Sequence, residues 1–207
     1  LALESLQAEP FSYDWRLDIR TSAQNLAEFI RQKFFGQKVS LVAHSMGGLV
    51  ARSFILQFPD LWETMQGNLI MLGTPNHGSF DAVQALIGEN RTIKKLDLFD
   101  ICNNKEDLMR IFHSFPGLYQ LLPAKDLIGE IYQETTWSNY PSVRFATHLM
   151  DVERFHRELT APSTIDSKRM FYIAGTGFET LFGLKSITVC SMESRLFTIR
   201  KMNIPNY

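Results

Sequence analysis

Cysteine is scarce in this chain of 207 residues: Cys102 and Cys190 could form one bridge at most, too few for a disulfide scaffold. Excess charge is also missing. Lys plus Arg number 21 against 22 Asp plus Glu, a net charge of −1, so nothing marks nucleic acid as a partner. No run of about 18 or more apolar residues occurs, which excludes a sequence-predicted transmembrane helix. Internal repeats and low-complexity tracts are absent. No His or Cys cluster has the spacing of metal ligands, and Gly47-Gly48 is not followed by the glycines that cradle a pyrophosphate; neither a metal nor any other cofactor is expected. What remains is an ordinary globular composition, 45% hydrophobic and 21% charged, whose 16 phenylalanines are better spent on cores than on stacking platforms.

Strand-like and helix-like stretches alternate along the chain. Glu9–Arg16 reads as the end of a strand running into a loop. Thr21 or Ser22 is placed to cap a helix through Phe35, with Leu26, Phe29, Ile30 and Phe34 on one face and Gly36 as its stop. Lys38–Ala43 has the look of a buried parallel strand. A helix follows from Met46 to Phe58, ended by Pro59. Asn68–Gly73 and Arg169–Gly175 are further strands, and Ile187–Cys190 with Leu196–Ile199 reads as a hairpin. This order predicts an α/β fold with a parallel sheet and flanking helices. About 97 residues separate Leu72 from Met170, far more than one crossover needs, so they should form an inserted subdomain. The expected division is 1–78 and 166–207 as sheet-bearing core and 79–165 as a helical cap.

The chemistry centres on Ala43-His44-Ser45-Met46-Gly47, of the form small-x-Ser-x-Gly, set between a Val/Leu strand and a helix. A serine on so sharp a turn projects its hydroxyl above the sheet, and residues two before and two after must be small to avoid collision. Ser45 is therefore the candidate nucleophile. The Met46 N–H, at the head of the helix, is the candidate oxyanion donor.

Lys38–Arg52 resembles the nucleophile segment of α/β-hydrolase lipases. More specifically, Tyr13-Asp14-Trp15-Arg16, Leu72–Ser79 (Leu-Gly-Thr-Pro-Asn-His-Gly-Ser), Leu118–Pro123 and Ile173–Gly177 are similar to the lecithin:cholesterol acyltransferase-like group of that superfamily. Ala43 departs from the family's more usual glycine while staying small. The resemblance implies a partial α/β-hydrolase fold and serine-dependent acyl transfer from lipid or other esters to water or an alcohol, through an acyl-enzyme on Ser45. It implies further that Leu118 and Tyr119 contact substrate, that His77 either contacts substrate as a residue lining the site or structures the loop that carries it, that peripheral membrane contact is compatible with such a substrate, and that no cofactor is needed. Compartment, oligomeric state and the choice of acceptor are left open.

The triad of this fold runs Ser, then acid, then His. Glu179 is the in-chain acid candidate, but no histidine follows His156. His148 and His156 read as surface or cap residues on an amphipathic helix, His113 as a packed cap residue and His44 as a packing residue beside the nucleophile. The chain opens on Leu1 and stops in mid-course at Tyr207, with 44 residues before Ser45. A piece of a longer protein is expected, with acid, base and second oxyanion donor outside it, and inactive alone. The alternative is a non-catalytic lipid-binding or interaction protein that kept the fold.

Overall fold

The computed structural model describes residues 8–91, 93–95, 104–143, 145–161, 164–175, 179–188 and 195–203. Three strands, β1 (Val39–His44), β2 (Gln66–Leu72) and β3 (Met170–Ile173), form a parallel sheet in the order β1-β2-β3. Val42 pairs with Ile70 and Ile70 with Phe171, so one register row crosses all three strands. β4 (Glu179–Thr188) and β5 (Arg195–Asn203) form a separate antiparallel pair. The hairpin is thus longer than the sequence pattern suggested, and its connection, with Cys190, lies outside the described residues, as does Cys102.

The first helix, α1 (Ile19–Lys33), buries Ile19, Ala23, Leu26, Ala27 and Ile30, one stripe at helical spacing. Its cap is Asp18, whose carboxylate accepts from the Arg20 N–H at 2.7 Å, and not Thr21 or Ser22, which lie inside the first turns. The preceding Glu9–Arg16 stretch is loop and turn, with no strand end. The reason is local: the Asp14 carboxylate accepts from the Arg16 backbone N–H at 3.0 Å and from its guanidinium at 2.7 Å, an Asx-type turn that competes with extended pairing. Those hydrogen bonds to Arg16 hold the Asp14 carboxyl down to about 2.

β1 leads directly into α2 (Met46–Gln57), and Pro59 both ends that element and starts α3 (Pro59–Met65), where its missing N–H costs nothing. α1, α2 and α3 cover one sheet face, burying Leu69 and Met71 against Leu49, Phe54 and Trp62. The opposite face is open among the described residues, with Val42 69%, Phe171 48% and Ile173 56% exposed.

After β2 the chain builds a second apolar cluster from α4 (Phe80–Leu86), α5 (Lys105–Phe112), α6 (Pro116–Gln120) and short turns of tighter helix at Gly129–Tyr132 and Glu134–Trp137. A π-helical turn at Phe145–Leu149 precedes α7 (Met150–Thr160), so the single helix expected through His148 and His156 divides between them. α7 joins the clusters: Val152 enters the second, Phe155 and Leu159 the first. Arg20 of α1 clamps it, pairing with Asp151 at 2.7 Å and lying 5.2 Å from the Phe155 ring centroid. No helix among the described residues is long and apolar enough to cross a membrane.

Candidate active site

Ser45 stands between the last residue of β1 and the first of α2 with φ 52° and ψ −127°. A non-glycine residue there carries strain of about 1–3 kcal/mol, sustained only where its surroundings dictate it. Two backbone bonds do so: the Ser45 N–H donates to the Leu72 carbonyl at 2.9 Å, and the Ser45 carbonyl accepts from Gly48 N–H at 3.1 Å. The first ties the turn to the end of β2; the second ties it to the helix. Although Ser45 occupies the N-cap position, its side chain makes no capping hydrogen bond, the use to which serine is ordinarily put there. The hydroxyl is left at the C-terminal edge of a parallel sheet and the positive end of a twelve-residue helix. Met46 is the first residue of that helix, and its N–H belongs to the first turn, where backbone donors lack intrahelical partners.

The steric demand of the turn falls one residue later than expected. A Cβ on Gly47 would meet Ala43 Cβ at 3.9 Å and the Tyr13 hydroxyl at 3.7 Å, ordinary contacts. On Gly48 it would stand 1.9 Å from Thr74 Oγ1 and 2.7 Å from Thr74 Cβ. The tight approach is therefore between the nucleophile helix and the loop after β2, because the strand pairing sets Leu72 beside Ser45 and delivers Thr74 against the first turn.

Three of the sequence motifs meet here. Tyr13 approaches Gly47, with burial pushing its hydroxyl up. The Trp15–Leu17 backbone runs past α6: Gly117 N–H donates to the Arg16 carbonyl at 3.2 Å, and a Cβ on Gly117 would lie 2.2 Å from the Trp15 carbonyl and 3.0 Å from Met46 Cε. The Leu72–Ser79 segment is laced to the end of α6 and beyond, Ser79 N–H donating to Leu121 O at 2.7 Å and Ala124 N–H to His77 O at 2.9 Å. The His77 side chain is exposed. Leu118 and Tyr119 are buried in the second cluster, the Tyr119 hydroxyl donating to the His113 carbonyl at 3.1 Å and its ring lying 4.8 Å from that of His148.

No histidine is hydrogen-bonded to Ser45 among the described residues. His44, expected to pack, is exposed instead, because the alternation of β1 turns it to the open sheet face with Val42. His113 is buried and held at both nitrogens, by Ser142 Oγ at 2.6 Å and the Leu86 carbonyl at 2.7 Å. Glu179 begins β4, opposite Asn203. Pro205 and the Thr176-Gly177 end of the late strand motif lie outside the described residues.

The sequence reading missed the use of Arg52 and the burial of His156. A lone arginine within the apolar run Leu49–Leu56 was the available signal. Its guanidinium, 7% exposed, donates to Asn76 Oδ1 at 2.7 Å and to the Leu159 carbonyl, and burial lowers its pKa. His156, 4% exposed, has no hydrogen bond of good geometry at either ring nitrogen among the described residues. Burial pushes it down to about 4; the nearby Leu122 carbonyl and Asp126 oppose this, while His77 and Arg52 reinforce it. With a folded pKa depressed from about 6.5, its contribution to stability is complete above pH 6.5 and fades as pH falls toward 4. On this account urea denaturation should show about 2 kcal/mol lost between pH 7 and pH 5, and His156→Phe should flatten most of that limb. An unchanged pH dependence in the variant would assign the loss elsewhere.

A surface cleft of about 650 Å³ lined by Ile55, Trp62, Ile165 and Asp166 lies at the other end of α2 from Ser45, about four-fifths of a 12-residue helix away.

The chain is similar to phosphatidylcholine-sterol acyltransferase of Rattus norvegicus, 34% identical over 194 residues, covering 86% of this chain and 42% of the rat protein. The Mus musculus protein of that name is 30% identical over 165 residues, 75% of this chain and 34% of its own length. The chain thus spans less than half the length of these relatives. In fold it resembles a crystal structure of the Tle4–Tli4 complex, with a TM-score of 0.54 over 93% of this chain and 53% of that one at 16% identity. The fold is that of a partial α/β-hydrolase, a parallel sheet with flanking helices. The lecithin:cholesterol acyltransferase family model matches residues 6–173, and with the elbow, the Tyr13–Arg16 turn and the post-β2 loop brought together over that span, the chain belongs to the lecithin:cholesterol acyltransferase family.

Proposed function

We propose that Ser45 is the nucleophile of an acyl transfer from lipid or other ester substrates, within a lipid-metabolising lipase or acyltransferase. The observation that carries this is the strained backbone of Ser45 at a helix head combined with a hydroxyl that is not spent on capping. Ser45 Oγ attacks the ester carbonyl, the carbonyl oxygen becomes an oxyanion received by the Met46 N–H, and the alcohol leaves as the acyl-enzyme forms. Water or an acceptor alcohol then takes the acyl group and frees the serine. The rat and mouse relatives are named for transfer between phosphatidylcholine and sterol, which favours a phospholipid-type acyl donor.

Residues 79–165 act in this reading as a cap over the acyl chain. Support comes from the close approach of the Met46 side-chain end to Gly117, which brings α6 beside the head of α2, with Leu118 and Tyr119 packed in the cluster behind it. His77 lies on the loop laced to the same region and its side chain is exposed. Trp15 and Leu17, each nearly half exposed beside α6, are the residues that would touch a lipid surface. The proton on Oγ needs a base, and no described histidine bonds to Ser45; acid and base are proposed to come from polypeptide outside these 207 residues. The 207-residue chain alone is then catalytically silent.

Treatment of the natural full-length protein with a fluorophosphonate should place one adduct on the peptide holding Ser45, detected by mass spectrometry. Ser45→Ala should abolish it, and the isolated 207 residues should label slower by about a thousandfold or more. Absence of an adduct on the full-length protein, with lipid binding retained, would favour the non-catalytic reading.

A further inference from the structure

We propose that Arg52 is a positioning residue that couples the cap to the nucleophile elbow, an inference that rests on the serine reading of the site. Arg52 is the one charged residue of α2, seven positions from Ser45 on the helix that begins at Met46. Among the described residues it has no carboxylate within ion-pair distance. A buried guanidinium without a counter-charge is costly unless hydrogen bonds compensate it, and here two neutral acceptors each take one N–H, one from each terminal nitrogen. One is Asn76 Oδ1, at 2.7 Å, in the loop whose Thr74 presses on Gly48. The other is the carbonyl of Leu159, in the last turn of α7. Carbonyls of a last turn lack intrahelical partners and carry the negative end of the helix dipole, so a cation is favoured there.

The planar fork of arginine suits this double duty because its N–H groups diverge from one rigid plane. One arm fixes the loop beside the elbow; the other fixes the C-terminal end of the helix that joins the cap cluster to the sheet cluster. Both arms are anchored on the helix that presents the Met46 N–H. A displacement of α7 therefore reaches the loop and the elbow through one side chain. Arg52 touches neither substrate nor the reacting atoms; it sets where the cap sits over them.

The test uses the full-length protein, with hydrogen exchange over residues 74–79 and 150–160 and kinetics on a long-chain phosphatidylcholine and on a short soluble nitrophenyl ester. Arg52→Met should speed exchange in both segments and raise KM for the long-chain substrate about tenfold, while kcat/KM on the short ester changes less than about threefold. Arg52→Lys should recover part of both effects, and Asn76→Ala should speed exchange in 74–79 alone. Equal losses on the two substrates, or unchanged exchange in either segment of Arg52→Met, would overturn the coupling. Should Arg52→Met not fold, Arg52→Lys and Asn76→Ala carry the same decision through exchange. If wild-type protein turns over neither ester, the serine reading fails, and the exchange pattern still judges the coupling through Arg52.

Discussion

Ser45→Gly is expected to yield a protein that is more stable than its parent and devoid of serine-dependent acyl transfer. The backbone at φ 52° and ψ −127° is one that glycine adopts freely and an L-residue does not. Releasing that strain returns about 1–3 kcal/mol, from which the extra chain entropy of an unfolded glycine removes about 0.5–1 kcal/mol. A net gain of about 1 kcal/mol corresponds to a rise in Tm of roughly 2–4 °C for a chain of this size. Ser45→Ala is the control that separates the two effects: it removes Oγ, keeps Cβ, and should leave Tm unchanged. Both variants should lose at least about a thousandfold in kcat/KM in the full-length protein, because the nucleophile is gone in each. Equal Tm values for the Gly and Ala variants would show that the turn is not strained at this residue, while retained activity would dismiss Ser45 as nucleophile.

The second large effect is steric. In Gly48→Ala the new methyl would stand 1.9 Å from Thr74 Oγ1 and 2.6 Å from Cγ2, inside a contact where Thr74 is fully buried. Threonine is short and β-branched, so it has no flexible end to swing away, and the loop or the helix must shift. Overpacking of this kind costs about 1–3 kcal/mol, and here the shift also displaces the residues on either side of Ser45, so activity should fall with stability. Rescue distinguishes the cause. Thr74→Ala leaves its Cβ 2.7 Å from the intruding methyl and should rescue only in part. Thr74→Gly removes the clash, and the Gly48→Ala/Thr74→Gly protein should be more stable than additivity of the two single changes allows, as a thermal-denaturation cycle would show. Strict additivity would mean that the helix and loop do not meet as described.

The strands that hold the site were legible because a buried parallel strand announces itself as a short, largely apolar run bounded by turn residues, and Val39–His44, Gln66–Leu72 and Met170–Ile173 all fall within a few residues of their expected places. The elbow was legible for a related reason: its demand is local, a serine and small neighbours between a strand and a helix. Boundaries governed by a single hydrogen bond were not. Asp18 takes the cap from Thr21 and Ser22 because its carboxylate reaches the Arg20 N–H, and the Asp14–Arg16 turn replaces an expected strand end. His44 was misjudged as a packing residue because strand alternation assigns a face but not whether that face is covered.

By itself, then, the sequence determined the fold class, the sharp strand-to-helix turn at Ser45 and the places of the parallel strands along the chain, since each depends on patterns a few residues long. Tertiary structure alone decided that Gly48 rather than Gly47 is the crowded position, that Tyr13 approaches Gly47 and Met46 approaches Gly117, and that Arg52 joins Asn76 to Leu159, a residue 107 positions from Arg52 itself. Such relations arise where separate elements are pressed together, and the energy that selects them comes from desolvating a guanidinium or excluding a methyl at a contact. No spacing along the chain encodes those distances; only the packed sheet, with β2 beside β1 and α7 laid across both clusters, brings them into being.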